Sequence, residues 1–156
     1  MAIGLQPGRY WQPRIYNSMS PRDTTTGRVL ENMILPALVQ AGYSYFTQVN
    51  IGQRLGGGRH IIDVLAEKDA KRFLISMKWQ QVGGTAEQKV PFEVISLIDA
   101  VRSGRYAKAY LVLGGEGWSL REFYTGGGLD SYIEGMESVD IISLESFVAE
   151  VNRGDL

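Results

Sequence analysis

The sequence contains no cysteine and only one histidine, His60. Without cysteine the chain has no disulfide framework and no thiolate nucleophile. No apolar run reaches membrane-spanning length, and the first residues lack the basic-then-apolar layout of a secretory signal. We therefore expect a cytoplasmic protein with no membrane partner, folded as one domain, because 156 residues are enough to bury a hydrophobic core.

Lysine is absent from residues 1–62, which carry six arginines and two acids, a sum of +4. Residues 63–113 carry eight basic and six acidic residues (+2), and residues 114–156 carry two arginines and nine acids (−7), which returns the net charge of −1. An anionic partner would therefore meet the first two-thirds of the chain. An uneven but purely solvated surface would give the same distribution.

Residues 1–23 are predicted to form an irregular basic arm, because prolines interrupt a segment in which arginines are interleaved with aromatic side chains. Its arginines are Arg9, Arg14 and Arg22. Such an arm could grip a phosphate backbone or extend onto a partner subunit. Residues 24–156 are predicted to form the folded domain.

Apolar periodicity divides this domain into helices and strands. A helix is predicted from about Thr26 to Ala41, with a kink at Pro36. An apolar strand and a hairpin follow, and a second helix begins after a capping box that starts at Thr85. Two further strands and a terminal helix capped by Ser143 complete the order α-β-β-β-α-β-β-α. This order predicts an α/β fold with a central mixed β-sheet flanked by helices.

Two charged side chains stand among the apolar residues of the predicted hairpin, HIIDVLAEKDAKRFLISMKWQ. With the turn centred on Asp69 and the residue after it, Asp63 lies opposite Ser76, and Lys78 is one step along the same face. An unpaired carboxylate or ammonium costs on the order of several kcal/mol to bury. Asp63 and Lys78 therefore form either a partly buried ion pair or the centre of a functional site.

Further polar residues are predicted beside this pair. Glu31 borders the buried stripe of the first helix, and Gln80, Glu87 and Lys89 follow the strand that carries Lys78. Carboxylates with a lysine, in a chain without cysteine, suit Mg²⁺ rather than zinc, with Mn²⁺ as a substitute. The predicted metal would activate water and shield phosphate charge, while Lys78 holds or orients the nucleophile.

The hairpin and the helix before it resemble the PD-(D/E)XK nuclease superfamily. Asp63 is followed thirteen residues later by the run Ser-Met-Lys that ends at Lys78, and the preceding helix carries Glu31. The resemblance covers about residues 25–152 and implies the α-β-β-β-α-β core of a restriction-endonuclease-like fold. The layout is similar to archaeal-type and phage Holliday junction resolvases, and the run KWQQVGGTAEQKVP is similar to small restriction and homing endonucleases.

One departure from the family concerns Ser76, which stands where the resemblance implies a second acid. A hydroxyl is a neutral and weaker ligand, so the metal would lose one charge of coordination. Three explanations remain open: Glu31 or Glu87 replaces the missing acid, Gln80 contributes an amide oxygen, or the site no longer cleaves. We favour replacement, because the other members of the site are all retained.

The resemblance implies a Mg²⁺-dependent DNA endonuclease that hydrolyses phosphodiester bonds as a homodimer or higher homo-oligomer, associated with the nucleoid of a bacterial, archaeal or phage system. It implies Glu31, Asp63 and Glu87 as candidate metal ligands, with Ser76 as a weak ligand or the neighbour of one. Lys78 would position the attacking water, with Gln80 and Lys89 as possible auxiliary residues. The arginines expected to contact DNA are Arg9, Arg14, Arg22, Arg28, Arg54 and Arg59.

Branched DNA of the Holliday type is the predicted substrate. The chain has little beyond the predicted core from which to build a base-reading domain, and its arm and loops are basic. A site-specific restriction or homing endonuclease is the alternative within the same chemistry. A catalytically lapsed DNA-binding module on the same fold is the alternative from another class, and Ser76 keeps it open.

Overall fold

The computed structural model of this protein describes residues 25–156. The predicted arm, with Arg9, Arg14 and Arg22, lies outside the described residues, so its boundary stays a prediction. The elements are α1 (Thr25–Val29), a π-helical turn (Leu30–Ile34), α2 (Leu35–Gln40), β1 (Ser44–Gln53), β2 (Arg59–Lys68), β3 (Lys71–Trp79), α3 (Ala86–Arg102), β4 (Lys108–Gly114), α4 (Arg121–Thr125), a 3₁₀ turn (Met136–Ser138), β5 (Val139–Ser143) and α5 (Leu144–Arg153).

The five strands form one mixed sheet in the order β1-β2-β3-β4-β5. β1, β2 and β3 are antiparallel neighbours, whereas β4 runs parallel to β3 and β5 runs parallel to β4. The predicted α/β fold, a mixed sheet flanked by helices with a restriction-endonuclease-like core, is confirmed. Within residues 25–156 no helix is both long and apolar enough to cross a membrane.

Helices cover both faces of the sheet. α3 packs on one face, here called the α3 face, where Val94 and Leu97 belong to the same core as Leu74. The N-terminal helical run, meaning α1, the π turn and α2, packs on the other face together with α5. This α5 face has its own core, which includes Phe73 and Phe147. The burial of both faces explains why β3 and β4 consist largely of apolar residues.

The N-terminal helical run ends where the sequence predicts. The predicted irregularity near Pro36 is a π-helical turn. The π turn lies directly before α2, in which Pro36 is the second residue. Proline lacks an amide hydrogen and its ring clashes with the carbonyl one turn earlier, so a wider turn just before it relieves the conflict. Gly42, at φ 86°, then ends the run, and the Tyr43 amide donates to the Leu38 carbonyl at 2.9 Å.

The hairpin between β2 and β3 has the predicted register. Lys68 pairs with Lys71, and the ladder continues in the same register to Val64 and Ile75. The two turn residues both have positive φ, 52° at Asp69 and 62° at Ala70, as a type I′ turn requires. The right-handed twist of the strands favours this turn, so the predicted turn centre is confirmed.

The start of α3 differs from the predicted capping box. Thr85 is at the N-cap position, but in the described part of the chain its side chain makes no capping hydrogen bond. Its dihedral angles, φ −91° and ψ −1°, are helical rather than the extended ones of a capping residue. The buried Gln80 caps the helix instead, because its Oε1 accepts from the Ala86 amide at 3.1 Å and its Nε2 donates to the Gly117 carbonyl at 2.7 Å.

Candidate active site

The regular pairing of β2 is interrupted at Asp63. The ladder with β1 passes over Gln48 and Asp63, and Gln48 has a left-handed φ of 52°. Ile62 and Leu65 both pack on the α3 face although they are three residues apart, while Val64 packs on the α5 face. Strict alternation would put Ile62 with Val64. The alternation of side chains between the two faces of the sheet is therefore shifted by one residue in β2, at Asp63.

The carboxylate of Asp63 accepts hydrogen bonds from both neighbouring strands. Its Oδ2 accepts from the Met77 amide of β3 at 2.7 Å, and its Oδ1 accepts from Gln48 Nε2 at 3.4 Å. Burial raises the pKa of Asp63, and the Met77 amide and the charge of Lys78 oppose that rise. The sequence prediction that Asp63 and Lys78 share one site agrees with this interaction.

A second acid, Glu93 of α3, completes the site, and the sequence interpretation missed it. Only 3% of Glu93 is exposed. Its Oε1 accepts from Ser76 Oγ at 3.1 Å and lies 3.4 Å from His60 Nε2, while its Oε2 lies 3.5 Å from a terminal nitrogen of Arg54. The acid in contact with Ser76 is thus Glu93, which was not among the predicted replacements for the missing acid.

The charge of Glu93 is stabilised by the groups around it. Burial alone would raise the pKa of Glu93, but the hydrogen bond with His60 and the charges of Lys78 and Arg54 together lower it to about 2. Lys78 acts on Asp63 as well, so one half-buried ammonium lies within the field of both carboxylates. The structure thus brings Asp63, Lys78 and Glu93 into one electrostatic unit.

A signal for Glu93 was present in the sequence. Val90, Val94 and Leu97 mark the buried stripe of α3, and Glu93 lies three residues after the first and four before the last of them. A carboxylate at such a position faces the core. His60 could not be placed in the same way, because the one-residue shift in β2 at Asp63 changes which residues share its face.

In the described residues Glu31 has no hydrogen bond or ion pair with the other candidate site residues. Glu31 is exposed on the N-terminal helical run, which packs on the α5 face, and it lines a surface groove with Tyr45 and Val39. The charged groups that act on Asp63 are Lys78 and Glu93. The role of Glu31 as the replacement acid stays a prediction.

Glu87, Gln80 and Lys89 also have positions other than those predicted. Glu87 Oε1 accepts from the Leu120 amide at 2.8 Å and thereby holds the loop that leads into α4. Both polar atoms of the Gln80 amide are used by backbone groups, one at the start of α3 and one at Gly117. Lys89 is exposed on α3. These contacts hold the backbone around the site, and the predicted roles of Glu87 and Gln80 at a metal stay predictions.

The arginines predicted to contact DNA fall into two groups. Arg28 is exposed on the N-terminal helical run, and Arg59 is exposed at the start of β2. Arg54 instead points inward, where it pairs with Glu93. Its predicted contact with a DNA phosphate stays a prediction.

The donor atoms at the site are of the kind that bind a hard divalent cation. Within residues 25–156 there is no group of three or more histidine, aspartate or glutamate side chains that could hold a metal. The charge of Glu93 raises the pKa of Asp63, so the two carboxylates act on each other electrostatically. Mg²⁺ is typically bound by one or two carboxylates, with water and phosphate oxygens as its other ligands. The residues present fit that arrangement.

The mixed sheet with helices on both faces is a restriction-endonuclease-like fold. The sequence model described as a PD-(D/E)XK nuclease superfamily domain matches residues 22–154. The chain belongs to the PD-(D/E)XK nuclease superfamily. Members of this superfamily generally use divalent metals.

Two solved structures are similar to this chain at low sequence identity. The protein of unknown function AF1548 has a TM-score of 0.45 and 16% identity, covering 70% of this chain and 54% of that chain. The small subunit R.BspD6I2 of the heterodimeric restriction endonuclease R.BspD6I has a TM-score of 0.45 and 14% identity, covering 76% and 63%. This chain thus spans less than two-thirds of the length of either protein. No curated protein matches the sequence.

Proposed function

We propose that this protein is a Mg²⁺-dependent DNA endonuclease whose acidic residues are Asp63 and Glu93. The observation that carries the proposal is the hydrogen bond of 3.1 Å from Ser76 Oγ to Glu93 Oε1. It supports Glu93, supplied by α3, as the replacement for the acid that position 76 lacks. A lapsed site loses its main argument, because that argument was the absence of a second acid.

Each polar residue of the site has a role in this proposal. Asp63 and Glu93 would hold the divalent cation, which lowers the pKa of bound water and stabilises charge on the phosphate. The Met77 amide orients Asp63, and Ser76 orients Glu93. Lys78 would hold the attacking water, because its ammonium lies within the field of both carboxylates.

Branched DNA of the Holliday type remains the proposed substrate, and a homodimer or higher oligomer the proposed assembly. The support is the charge distribution: residues 1–113 carry a net +6, from the sums of +4 and +2, which suits an extended polyanion. Site-specific cleavage of linear duplex is the alternative. Both substrates require the same two carboxylates.

One electrophoretic experiment tests the reaction and the substrate together. Wild-type protein is incubated with a four-way junction or with linear duplex, in Mg²⁺, in Mn²⁺ or in EDTA. We expect cleavage of the junction in either metal and none in EDTA. Cleavage of linear duplex at a fixed sequence would favour the alternative substrate.

Variants separate catalysis from folding in the same experiment. Asp63→Asn and Lys78→Ala should abolish cleavage but leave DNA affinity within about a few-fold, since phosphate contacts come from exposed basic residues. Glu31→Gln is the matched control, an acid removed from the opposite side of the sheet. Full activity in EDTA, or loss of folding in Asp63→Asn, would contradict the proposal.

A further inference from the structure

The guanidinium of Arg54 is placed against the acid that the proposed metal needs. A terminal nitrogen of Arg54 lies 3.5 Å from Glu93 Oε2, and the side chains are 30% and 4% exposed. Arg54 Nε is buried, and in the described residues it has no hydrogen-bond partner. The Arg54 side chain is thus partly withdrawn from water, and the carboxylate of Glu93 is the partner of its charge.

The backbone of the β1–β2 loop fixes this position. The Arg54 amide donates to the Gly58 carbonyl at 2.8 Å, and the Gly57 amide donates to the Arg54 carbonyl at 3.0 Å. Gly56 and Gly57 have φ of 85° and 89°, which L side chains rarely adopt. The glycines thus close a tight loop that anchors Arg54 at its base, beside the site.

A divalent cation at Glu93 would face this guanidinium at close range. Glu93 is already surrounded by positive charge, because Lys78 and Arg54 both lower its pKa. A cation that binds the same carboxylate would be repelled by Arg54 or would have to displace it. The charge of Lys78 acts on both Asp63 and Glu93. In the described residues Arg54 forms its ion pair with Glu93 and not with Asp63.

We propose that Arg54 is the counterion of Glu93 in the metal-free protein, and that Arg54 and a divalent cation compete for this carboxylate. Arg54 is therefore a positioning residue that acts through Glu93. In the absence of metal it keeps a buried carboxylate compensated, and it leaves that carboxylate when the cation binds. This inference rests on the proposed function, because it takes Glu93 as a metal ligand.

Mn²⁺ binding without DNA tests the competition. Electron paramagnetic resonance of free Mn²⁺ measures the affinity of wild type and of Arg54→Gln, with no need for cleavage. We expect Arg54→Gln to bind Mn²⁺ about tenfold more tightly, because one repulsive unit charge near the site is gone. If Arg54 merely held Glu93 in shape, its removal would weaken binding, so the sign of the change decides.

Two further variants distinguish the proposed competition from loss of folding and from a general effect of charge on Mn²⁺ affinity. Arg54→Met keeps the length and packing of the side chain without its charge, and it should also bind Mn²⁺ more tightly. Arg59→Gln removes the same charge from the exposed far end of the same loop. We expect its Mn²⁺ affinity to stay within about twofold of wild type.

A double-mutant cycle in EDTA tests the ion pair itself. Unfolding free energies of Arg54→Gln, Glu93→Gln and the double variant should show favourable coupling between the two side chains. Unchanged or weaker Mn²⁺ binding by both neutral Arg54 variants, with cleavage by wild type intact, overturns the competition and leaves the proposed function standing. If neither wild type nor any variant binds Mn²⁺ and wild type does not cleave DNA, both proposals are wrong.

Discussion

The carboxylate of Glu93 is buried in the apolar stripe of α3, where an ordinary helix would carry a valine or leucine. Its charge is tolerated because Ser76, His60 and Arg54 all contact it. Burying a charge costs free energy, and several partners must compensate it. A carboxylate kept at such a position is therefore a candidate functional residue. Removal of the Glu93 carboxylate should therefore affect both DNA cleavage and stability.

Glu93→Gln should lower the rate of DNA cleavage by at least about a hundredfold, because it removes one of the two proposed anionic ligands and preserves the side-chain shape. Ser76→Ala should lower the rate by less than about tenfold, since it removes one neutral hydrogen bond. Single-turnover rates at saturating protein and Mg²⁺ measure both effects. Glu87→Gln, which loosens only the loop before α4, serves as control, and equal rates in wild type and Glu93→Gln would show a purely structural acid.

Glu93 should also make the stability of the metal-free protein depend on pH. Its pKa of about 2 in the folded protein lies below the ordinary value of 4.5. Its contribution is therefore fully present above about pH 5 and is lost as the pH falls toward 2, a difference on the order of 3 kcal/mol. Asp63 shifts the other way, because burial raises its pKa.

Urea unfolding in EDTA at pH 7 and pH 3 checks this expectation. Wild type should lose more stability on acidification than Glu93→Gln does, because the variant has no group to protonate at that position. Asp63→Asn is the comparison, and it should not flatten the decline. Parallel declines in wild type and Glu93→Gln would mean that the pKa of Glu93 is not depressed.

At the scale of elements, the β2–β3 turn holds an alanine in a conformation that suits glycine. Ala70 has φ 62° in the type I′ turn. Ala70→Gly should raise the free energy of unfolding by about 1 kcal/mol, because a left-handed residue with a Cβ is strained. Asp69→Gly is the matched control and should change little, since aspartate tolerates this region. Urea unfolding measures both, and a loss of stability in Ala70→Gly would argue against the turn.

The start of α3 offers a second test at this scale. Gln80→Ala should cost about 2 to 3 kcal/mol of stability, because it leaves the Ala86 amide and the Gly117 carbonyl without their partner. Thr85→Ala should have almost no effect, because the threonine side chain makes no cap in this part of the structure. Thermal unfolding of the two variants distinguishes them, and the opposite ranking would restore the capping box.

At the scale of the whole molecule, charge is segregated along the chain. The sum is +6 for residues 1–113 and −7 for the rest. The proposed DNA partner would be bound through counterion release, which makes affinity fall steeply with salt. The arm contributes three of the arginines, Arg9, Arg14 and Arg22.

Replacing these three arm arginines by glutamine should weaken DNA binding and reduce the slope of log affinity against log salt by up to about three, near 0.9 for each phosphate that is no longer neutralised. Fluorescence anisotropy between low and moderate salt measures the slope. Thermal stability should stay that of wild type in the same variant. An unchanged slope would mean that other basic residues of the protein neutralise the phosphates.

Local patterns in the sequence were sufficient for the hairpin and for the shared face of the candidate residues that it carries. The two-residue period of a strand puts Asp63, Ser76 and Lys78 on one face, and the turn at Asp69 sets their register. These relations depend on neighbours within about fifteen residues along the chain. The order of the elements likewise predicts the mixed sheet, because each helix and strand has its own apolar period.

Only the tertiary structure decided which residues complete the site. Glu93 reaches Ser76 because α3 packs on the same face of the sheet, and Glu31 does not because the N-terminal helical run packs on the other. No periodicity within a single element specifies which face a neighbouring helix will cover. The same holds for Arg54, which reaches Glu93 through a glycine loop, and for His60, which joins it because the alternation of side chains in β2 shifts at Asp63.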